Sequence, residues 1–113
     1  MLLFPRSFDA SCGGKKTLPQ FTTLIGGLFF TECPRWRDGR LYFSDFYTHH
    51  VLAVDMGGKP ETIACVPQQP SGIGFLPDGR MLIVSMRDRK ILRRELDGSI
   101  LLHADLSQLA TGI

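Results

Sequence analysis

The sequence has few cysteines, no long apolar run and no strong excess of charge. Its three cysteines are spread over 113 residues, without the CxxC spacing or neighbouring histidines of a zinc site. An odd number of thiols with no disulfide framework is typical of a reducing compartment. No apolar stretch approaches the roughly 20 residues of a membrane-spanning helix, and the first residues lack the features of a signal peptide. We therefore expect a cytoplasmic protein with no membrane partner.

Basic residues are not concentrated enough to indicate a nucleic-acid partner. Lys and Arg number 13 against 11 Asp and Glu, which gives a formal net charge of +2. The densest basic segment, residues 87–94, is interrupted by Asp88 and followed by Glu95. Such a mixture of signs is typical of a solvated face rather than of a phosphate-binding stripe. We expect the protein to bind no nucleic acid.

The chain divides into a leader without periodicity and a longer patterned part. Residues 1–20 show no apolar period, so an irregular leader is predicted there. From residue 21 onward, short apolar runs alternate with turn signals. No segment of helical length repeats its apolar residues at about 3.6 positions, and residues 105–109 could form one helical turn capped by Asp105. An all-β fold is predicted over residues 21–113.

A repeat of 40 residues organises the patterned part. Asp38-Gly39 recurs as Asp78-Gly79, and Asp-Gly between apolar runs indicates a hairpin because the turn needs positive φ. Strands and turns follow in the same order after each, with one residue inserted before the second Asp-Gly. Four short antiparallel strands in such a unit are typical of a β-propeller blade. We predict blades over about residues 30–68 and 69–105; a plain meander or sandwich fragment is the alternative.

Two blades would leave apolar sheet faces uncovered. A propeller needs roughly four to eight blades to close, and each Leu, Ile or Phe left in water forgoes roughly 1.5–3 kcal/mol. We therefore expect the sequence to be the N-terminal piece of a longer protein, inactive by itself and able to self-associate through exposed sheet edges. A truncated product without independent function is the alternative.

Glu32 is the candidate metal ligand. It follows an apolar run and precedes Pro34 and Trp36, where a carboxylate must be paired, hydrogen-bonded or bound to a metal. The first strand of a blade lines the central channel, so a Glu at its start can point into it. The residues alone leave open a turn carboxylate or a pair with Arg35. Arg87, in a loop, could reach the channel mouth and orient a substrate.

Three further residues are of types that can bind a metal ion. Asp45 ends a predicted strand and is interpreted as a turn or bracing carboxylate. His49 and His50 are adjacent, so in a strand they would point to opposite faces and could not both bind one metal. We expect both to lie at the surface.

The motifs around Glu32 resemble those of a known family. Glu32-Cys-Pro-Arg-Trp36, Asp38-Gly-Arg-Leu-Tyr-Phe-Ser-Asp45 and Val51-Leu-Ala-Val-Asp55 resemble the opening blade of the senescence marker protein/gluconolactonase family, also called regucalcin-like. Residues 70–80 are similar to its second blade. The resemblance covers about residues 21–113 and the first third of a family member. It implies a six-bladed β-propeller, a divalent cation in the central channel, commonly calcium, and hydrolysis of sugar lactones or related esters.

By this resemblance Glu32 is a ligand of the cation, although Thr31 stands where the family usually has Gly. The family's other ligands, an Asn and an Asp, belong to later blades beyond Ile113. Calcium takes six to eight oxygen ligands, and one carboxylate supplies at most two. No catalytic residue is assigned. A propeller that binds a partner without catalysis is the alternative function.

Overall fold

The computed structural model describes residues 2–5 and 20–109. These residues form strands and turns, and none of them belongs to a helix long and apolar enough to cross a membrane. Strands β1 to β6 are Leu2–Pro5, Phe21–Ile25, Thr31–Arg37, Arg40–Asp45, His50–Asp55 and Pro60–Cys65. Strands β7 to β10 are Pro70–Phe75, Met81–Ser85, Lys90–Arg94 and Ile100–Asp105.

Strands β3 to β10 form two four-stranded antiparallel sheets. The first, sheet 1, has the order β3-β4-β5-β6, and the second, sheet 2, contains β7, β8, β9 and β10 as neighbours in chain order. Each sheet is therefore a meander that falls within one of the predicted units, 30–68 and 69–105. The prediction of an all-β fold is confirmed for the described residues.

The 40-residue repeat extends to details of the backbone. His49 and Arg89 occupy the same place in their loops, with φ of 65° and 57°. The pairing of the third and fourth strands skips Ile63 in sheet 1 and His103 in sheet 2. Residues in the two sheets can therefore be matched one by one. The offset is 40 from the second strand onward and 39 in the first strand, because of the inserted residue.

The inserted residue changes the type of turn. In sheet 1, Asp38 and Gly39 have φ of 50° and 76°, as a two-residue type I′ hairpin requires. In sheet 2, Pro77 lies ahead of Asp78 and Gly79, and the amide of Gly79 donates to the carbonyl of Leu76 at 2.9 Å. Gly79 alone of these takes positive φ, 94°, which follows a type I turn with Pro at its preferred position. Both predicted hairpins are confirmed.

The two sheets share one hydrophobic core. The first strand of sheet 2, β7, lies against β3 and β4 of sheet 1. The shared core contains Tyr42, Val51, Ala53, Ile63, Ala64, Val66, Ile73, Met81 and Ile83. Two side-chain hydrogen bonds cross between the sheets, from Ser44 Oγ to the Ser71 carbonyl at 2.7 Å and from Arg94 Nε to the Ile63 carbonyl at 2.9 Å.

The opposite face of sheet 1 is covered by the residues that precede it. Leu41, Phe43 and Val54 are buried there, with Leu24, Ile25 and Leu28 packed against them. Strand β2, which contains Leu24 and Ile25, begins at residue 21, where the sequence pattern changes. The N-terminal part of the patterned chain therefore covers this face of sheet 1.

Part of the predicted irregular leader is a strand. Leu2–Pro5 pairs antiparallel with Phe21–Ile25 in a separate two-stranded sheet. The pattern could not show this, because a four-residue strand is too short to display a period and its partner lies far along the chain. Residue 20 is irregular and exposed, and the rest of that prediction, residues 1 and 6–19, lies outside the described residues.

The end of β10 matches the predicted cap, although no helix forms in the described residues there. Asp105 accepts a hydrogen bond from the amide of Ser107 at 2.9 Å. The amide of Leu109 donates to the carbonyl of Leu106, also at 2.9 Å. The segment is a hydrogen-bonded turn.

Candidate functional site

Glu32 lies near the start of β3 and pairs across the ladder with Ser44. Its side chain is half-buried, and no described residue forms a hydrogen bond or ion pair with its carboxylate. The pair with Arg35 does not form, because the Arg35 guanidinium donates instead to the carbonyl of Pro34 at 2.9 Å. Among the described residues, Glu32 is therefore a half-buried carboxylate without a partner.

Glu32 lies on the face of sheet 1 that meets sheet 2. Directly paired residues of an antiparallel ladder share a face, and the hydroxyl of Ser44, the partner of Glu32, reaches the carbonyl of Ser71. Ser71 is the residue of sheet 2 equivalent to Glu32, because each is the second residue of its first strand. The two sheets thus bring the starts of their first strands together at one end.

Asp45 fixes the segment that leads into Glu32. It is 1% exposed and ends β4, directly opposite Thr31. Its carboxylate accepts hydrogen bonds from the amides of Phe29 at 3.3 Å and Phe30 at 3.0 Å. This agrees with its interpretation as a bracing carboxylate.

Arg87 is exposed in the loop between β8 and β9, at the end of sheet 2 where β7 begins. Its backbone amide donates to the carbonyl of Gln68 at 2.9 Å. No described carboxylate pairs with its guanidinium. The structure therefore places Arg87 and Glu32 at the same end of neighbouring sheets, but it does not bring the two side chains into an ion pair.

The described residues provide one suitable calcium ligand, Glu32, but not a complete calcium site. Within the described ranges, no group of three or more His, Cys, Asp or Glu side chains is arranged to hold a metal ion. His49 lies with Nδ1 2.8 Å from the carbonyl of Pro67, which occupies that nitrogen. Glu32 supplies at most two of the six to eight oxygens that calcium takes. No catalytic step can be derived through a metal from these residues.

Three aromatic rings meet at the end of sheet 1 where β3 begins, and the apolar pattern of the sequence did not predict this cluster. The rings of Phe30, Phe46 and Tyr47 contact one another edge to face, with centroids 5.2–6.1 Å apart. Phe30 is 54% and Tyr47 is 63% exposed. The signal was two aromatic pairs, at residues 29–30 and 46–47, but only the strand register shows that they meet. The equivalent residues of sheet 2 carry no ring: they are Gln69, Met86 and Arg87.

The opposite ends of the sheets carry paired charges. In sheet 1, Arg40 forms an ion pair with Glu61 and donates to the Tyr42 hydroxyl at 2.9 Å; the hydrogen bond with Glu61 raises the pKa of Arg40. In sheet 2, Glu95 accepts from Arg93 at 2.6 Å and lies 3.5 Å from Arg80. The unpaired Glu32 carboxylate and the exposed aromatic rings thus distinguish this end of sheet 1.

In the comparisons with known proteins, the chain matches no family model and no curated protein.

Proposed function

We propose that the two sheets are neighbouring blades of a β-propeller, and that the protein hydrolyses lactones or related esters with the help of a divalent cation, calcium, bound by Glu32. The architecture supports this through its repetition. Each sheet is a four-stranded meander, and β7 lies against β3 and β4. Such stacking of similar units is how propeller blades bury their faces.

The carrying observation is the half-buried Glu32 carboxylate without a described partner. Removing a charged carboxylate from water is costly unless it is paired or coordinates a metal, and a hard cation such as calcium prefers oxygen ligands. Glu32 would hold the ion together with oxygens from outside the described set. A bound divalent cation polarises a lactone carbonyl as a Lewis acid.

Other residues of the chain would support binding rather than chemistry. Asp45 fixes the segment leading into Glu32 through its bonds to Phe29 and Phe30. Arg87, exposed and without a described acidic partner, can donate to the oxygens of a substrate that reaches the rim of sheet 2.

Cation binding is tested with manganese, whose unpaired electrons broaden the NMR signals of nearby amides. We expect the amides around residues 30–33 and 44–46 to broaden first when Mn²⁺ is titrated into the chain, and calcium to reverse the effect. Glu32→Gln should remove it. The control is Asp38→Asn, which removes one charge at the other end of β3 while keeping a residue that tolerates positive φ. Equal broadening in the Glu32→Gln variant would contradict the proposal.

Hydrolysis is tested separately, on the protein in its native assembly. Sugar-lactone turnover with calcium should fall at least about 100-fold in Glu32→Gln, since Lewis-acid stabilisation is worth several kcal/mol and each 1.36 kcal/mol is about tenfold in rate. Asp38→Asn should leave the rate unchanged. If Glu32→Gln retains both metal affinity and turnover, Glu32 is not the ligand.

A binding role without catalysis is the second candidate, favoured by the exposed rings of Phe30 and Tyr47. Exposed aromatic side chains often anchor partners. If this role is the true one, Tyr47→Ala will abolish partner binding, calcium will not alter it, and no lactone will be hydrolysed.

A further inference from the structure

Sheet 2 has an apolar face that is turned away from sheet 1. Leu82, Val84 and Ile91 lie on it and are only half-buried. Gly72 and Gly74 of β7 have no side chains, which leaves a depression of about 210 Å³ lined by these five residues and their neighbours Ile73 and Ile83. The lining is almost entirely apolar. We call this surface the open face.

The same face of sheet 1 shows what covers such a surface. By the offset of 40, Leu82, Val84 and Ile91 are equivalent to Tyr42, Ser44 and Val51. In sheet 1 this face is packed against sheet 2, where it meets Ile73, Met81 and Ile83. The equivalent face of sheet 1 is thus covered by β7 and β8 of sheet 2. A sheet face that resembles the one formed by β7 and β8 should therefore fit the open face.

Sheet 1 has a face equivalent to the face of sheet 2 that packs on Tyr42. Phe75 packs edge to face on Tyr42, with ring centroids 5.0 Å apart. The residue of sheet 1 equivalent to Phe75 is Trp36, since Phe75 pairs with Met81 and Trp36 pairs with Leu41. Trp36 is 55% exposed. The chain thus presents an open face on sheet 2 and an exposed tryptophan at the matching covering position on sheet 1.

We propose that copies of this chain associate head to tail, with Trp36 of one copy packed on Leu82 of the next as Phe75 packs on Tyr42 within one chain. The contact joins two different surfaces, so it is heterologous and can extend to rings or chains of copies. It continues the interface between sheets 1 and 2. The association needs no metal and goes beyond the proposed hydrolysis.

The residues before sheet 1 oppose this association. Leu24, Ile25 and Leu28 pack on Leu41, Phe43 and Val54, which are on the same face of the sheet as Trp36. A docking copy must displace this cover, while Trp36 remains accessible. Loosening the cover with Leu24→Asp should therefore strengthen association, as expected for an autoinhibitory contact.

The test uses the 113-residue chain and its single tryptophan. Light scattering and Trp36 fluorescence are measured together over a wide range of protein concentration. We expect the mass to rise with concentration and the emission to shift to shorter wavelength in parallel. Leu82→Asp should weaken association by more than about tenfold, because it places an unpaired charge in the contact. Leu96→Asp, at a 72% exposed position in a turn, is the control.

Mixing two defective variants guards against simple misfolding. Trp36→Ala retains an intact open face, and Leu82→Asp retains an intact Trp36. Neither should associate alone, but a mixture should form dimers and shift the emission of the one tryptophan present. A monomer at all concentrations would overturn the proposal. So would association that survives Leu82→Asp, which would indicate pairing of strand edges, or association without a shift in emission.

Discussion

The two sheets share strand order and most of their backbone pattern, but their surfaces differ. Their loops take positive φ at His49 and Arg89, and their ladders are interrupted at equivalent residues. At the end where the first strands begin, however, sheet 1 carries Glu32 and an aromatic cluster, while sheet 2 carries Ser71 and Arg87. The apolar pattern and the turn residues specify the repeat. The positions that neither packing nor turns constrain are free to differ, and these form the candidate site.

Asp45 and Ser85 are equivalent residues, but the two sheets provide different acceptors for the backbone amide that lies before the first strand. Both end the second strand and both are buried. In sheet 1, the amide of Phe30 donates to the Asp45 carboxylate. In sheet 2, the equivalent amide, of Gln69, donates to the carbonyl of Val66 at 3.0 Å. A backbone turn replaces the carboxylate in sheet 2, so only sheet 1 depends on a buried charge there.

The largest expected effect is a loss of stability that differs between the two faces of sheet 2. Ile83→Ala removes a fully buried side chain from the core between the sheets and should lower the free energy of unfolding by about 2–5 kcal/mol. Ile91→Ala, the same substitution on the open face, should cost well under half as much, because Ile91 is only half-buried. Urea unfolding at low protein concentration measures both.

Equal losses from Ile83→Ala and Ile91→Ala would mean that the open face is covered in solution even in the monomer. That result would also contradict the head-to-tail association, which requires this face to be available.

A smaller effect is expected where the sheets differ in their bracing. Asp45→Ala leaves the amides of Phe29 and Phe30 without their acceptor and should cost about 1.5–3 kcal/mol, as for hydrogen bonds to charged groups. Ser85→Ala should cost less, because the equivalent amide in sheet 2 keeps its backbone partner. Thermal and urea unfolding of the two variants give the comparison, and a larger loss from Ser85→Ala would reverse it.

The smallest effect lies in the turn between β9 and β10, where sheet 2 has Asp97 and sheet 1 has Gly57. The Ser99 hydroxyl and amide donate to Asp97 at 2.7 Å and 2.9 Å, and these bonds lower the pKa of Asp97 below its ordinary value. A lowered carboxyl pKa stabilises the folded state above the unfolded pKa, near pH 4. That stabilisation is lost as the pH falls through the folded pKa.

Asp97→Asn should therefore make the stability of the chain less dependent on pH below about pH 4. Ser99→Ala is the matched variant, since it removes the first of the two donors and should raise the Asp97 pKa towards its ordinary value. Titration of the side-chain carboxyl signals by NMR measures both. An Asp97 pKa that does not respond to Ser99→Ala would contradict this cause.

Local chemistry made part of the fold predictable. The Asp-Gly pairs at 38–39 and 78–79 predicted hairpins because a turn with positive φ depends on the residues within it. The inserted Pro77 could be seen in the sequence, but its effect on turn type became clear only with the hydrogen bonds. The strand Leu2–Pro5 was not predicted, because its pairing with β2 depends on a contact distant in sequence.

The candidate site, like the fold, could be predicted from the sequence only in part. The start of a strand at Glu32 followed from the repeat, and the bracing interpretation of Asp45 agrees with its two backbone donors. The failure of Arg35 to pair with Glu32, and the meeting of Phe30 with Tyr47, depend on where side chains lie once the ladder register is set. Spacing along the chain does not contain that information.

The sequence by itself determined an all-β chain of two similar four-stranded units, because alternating apolar residues and glycine turns act over a few neighbouring positions. Only the tertiary structure decided which faces are covered. The same strand pattern is buried against sheet 2 at Tyr42 and half-exposed at Leu82. Burial depends on which surfaces meet in space, and that is decided by packing between elements rather than by the residues within each.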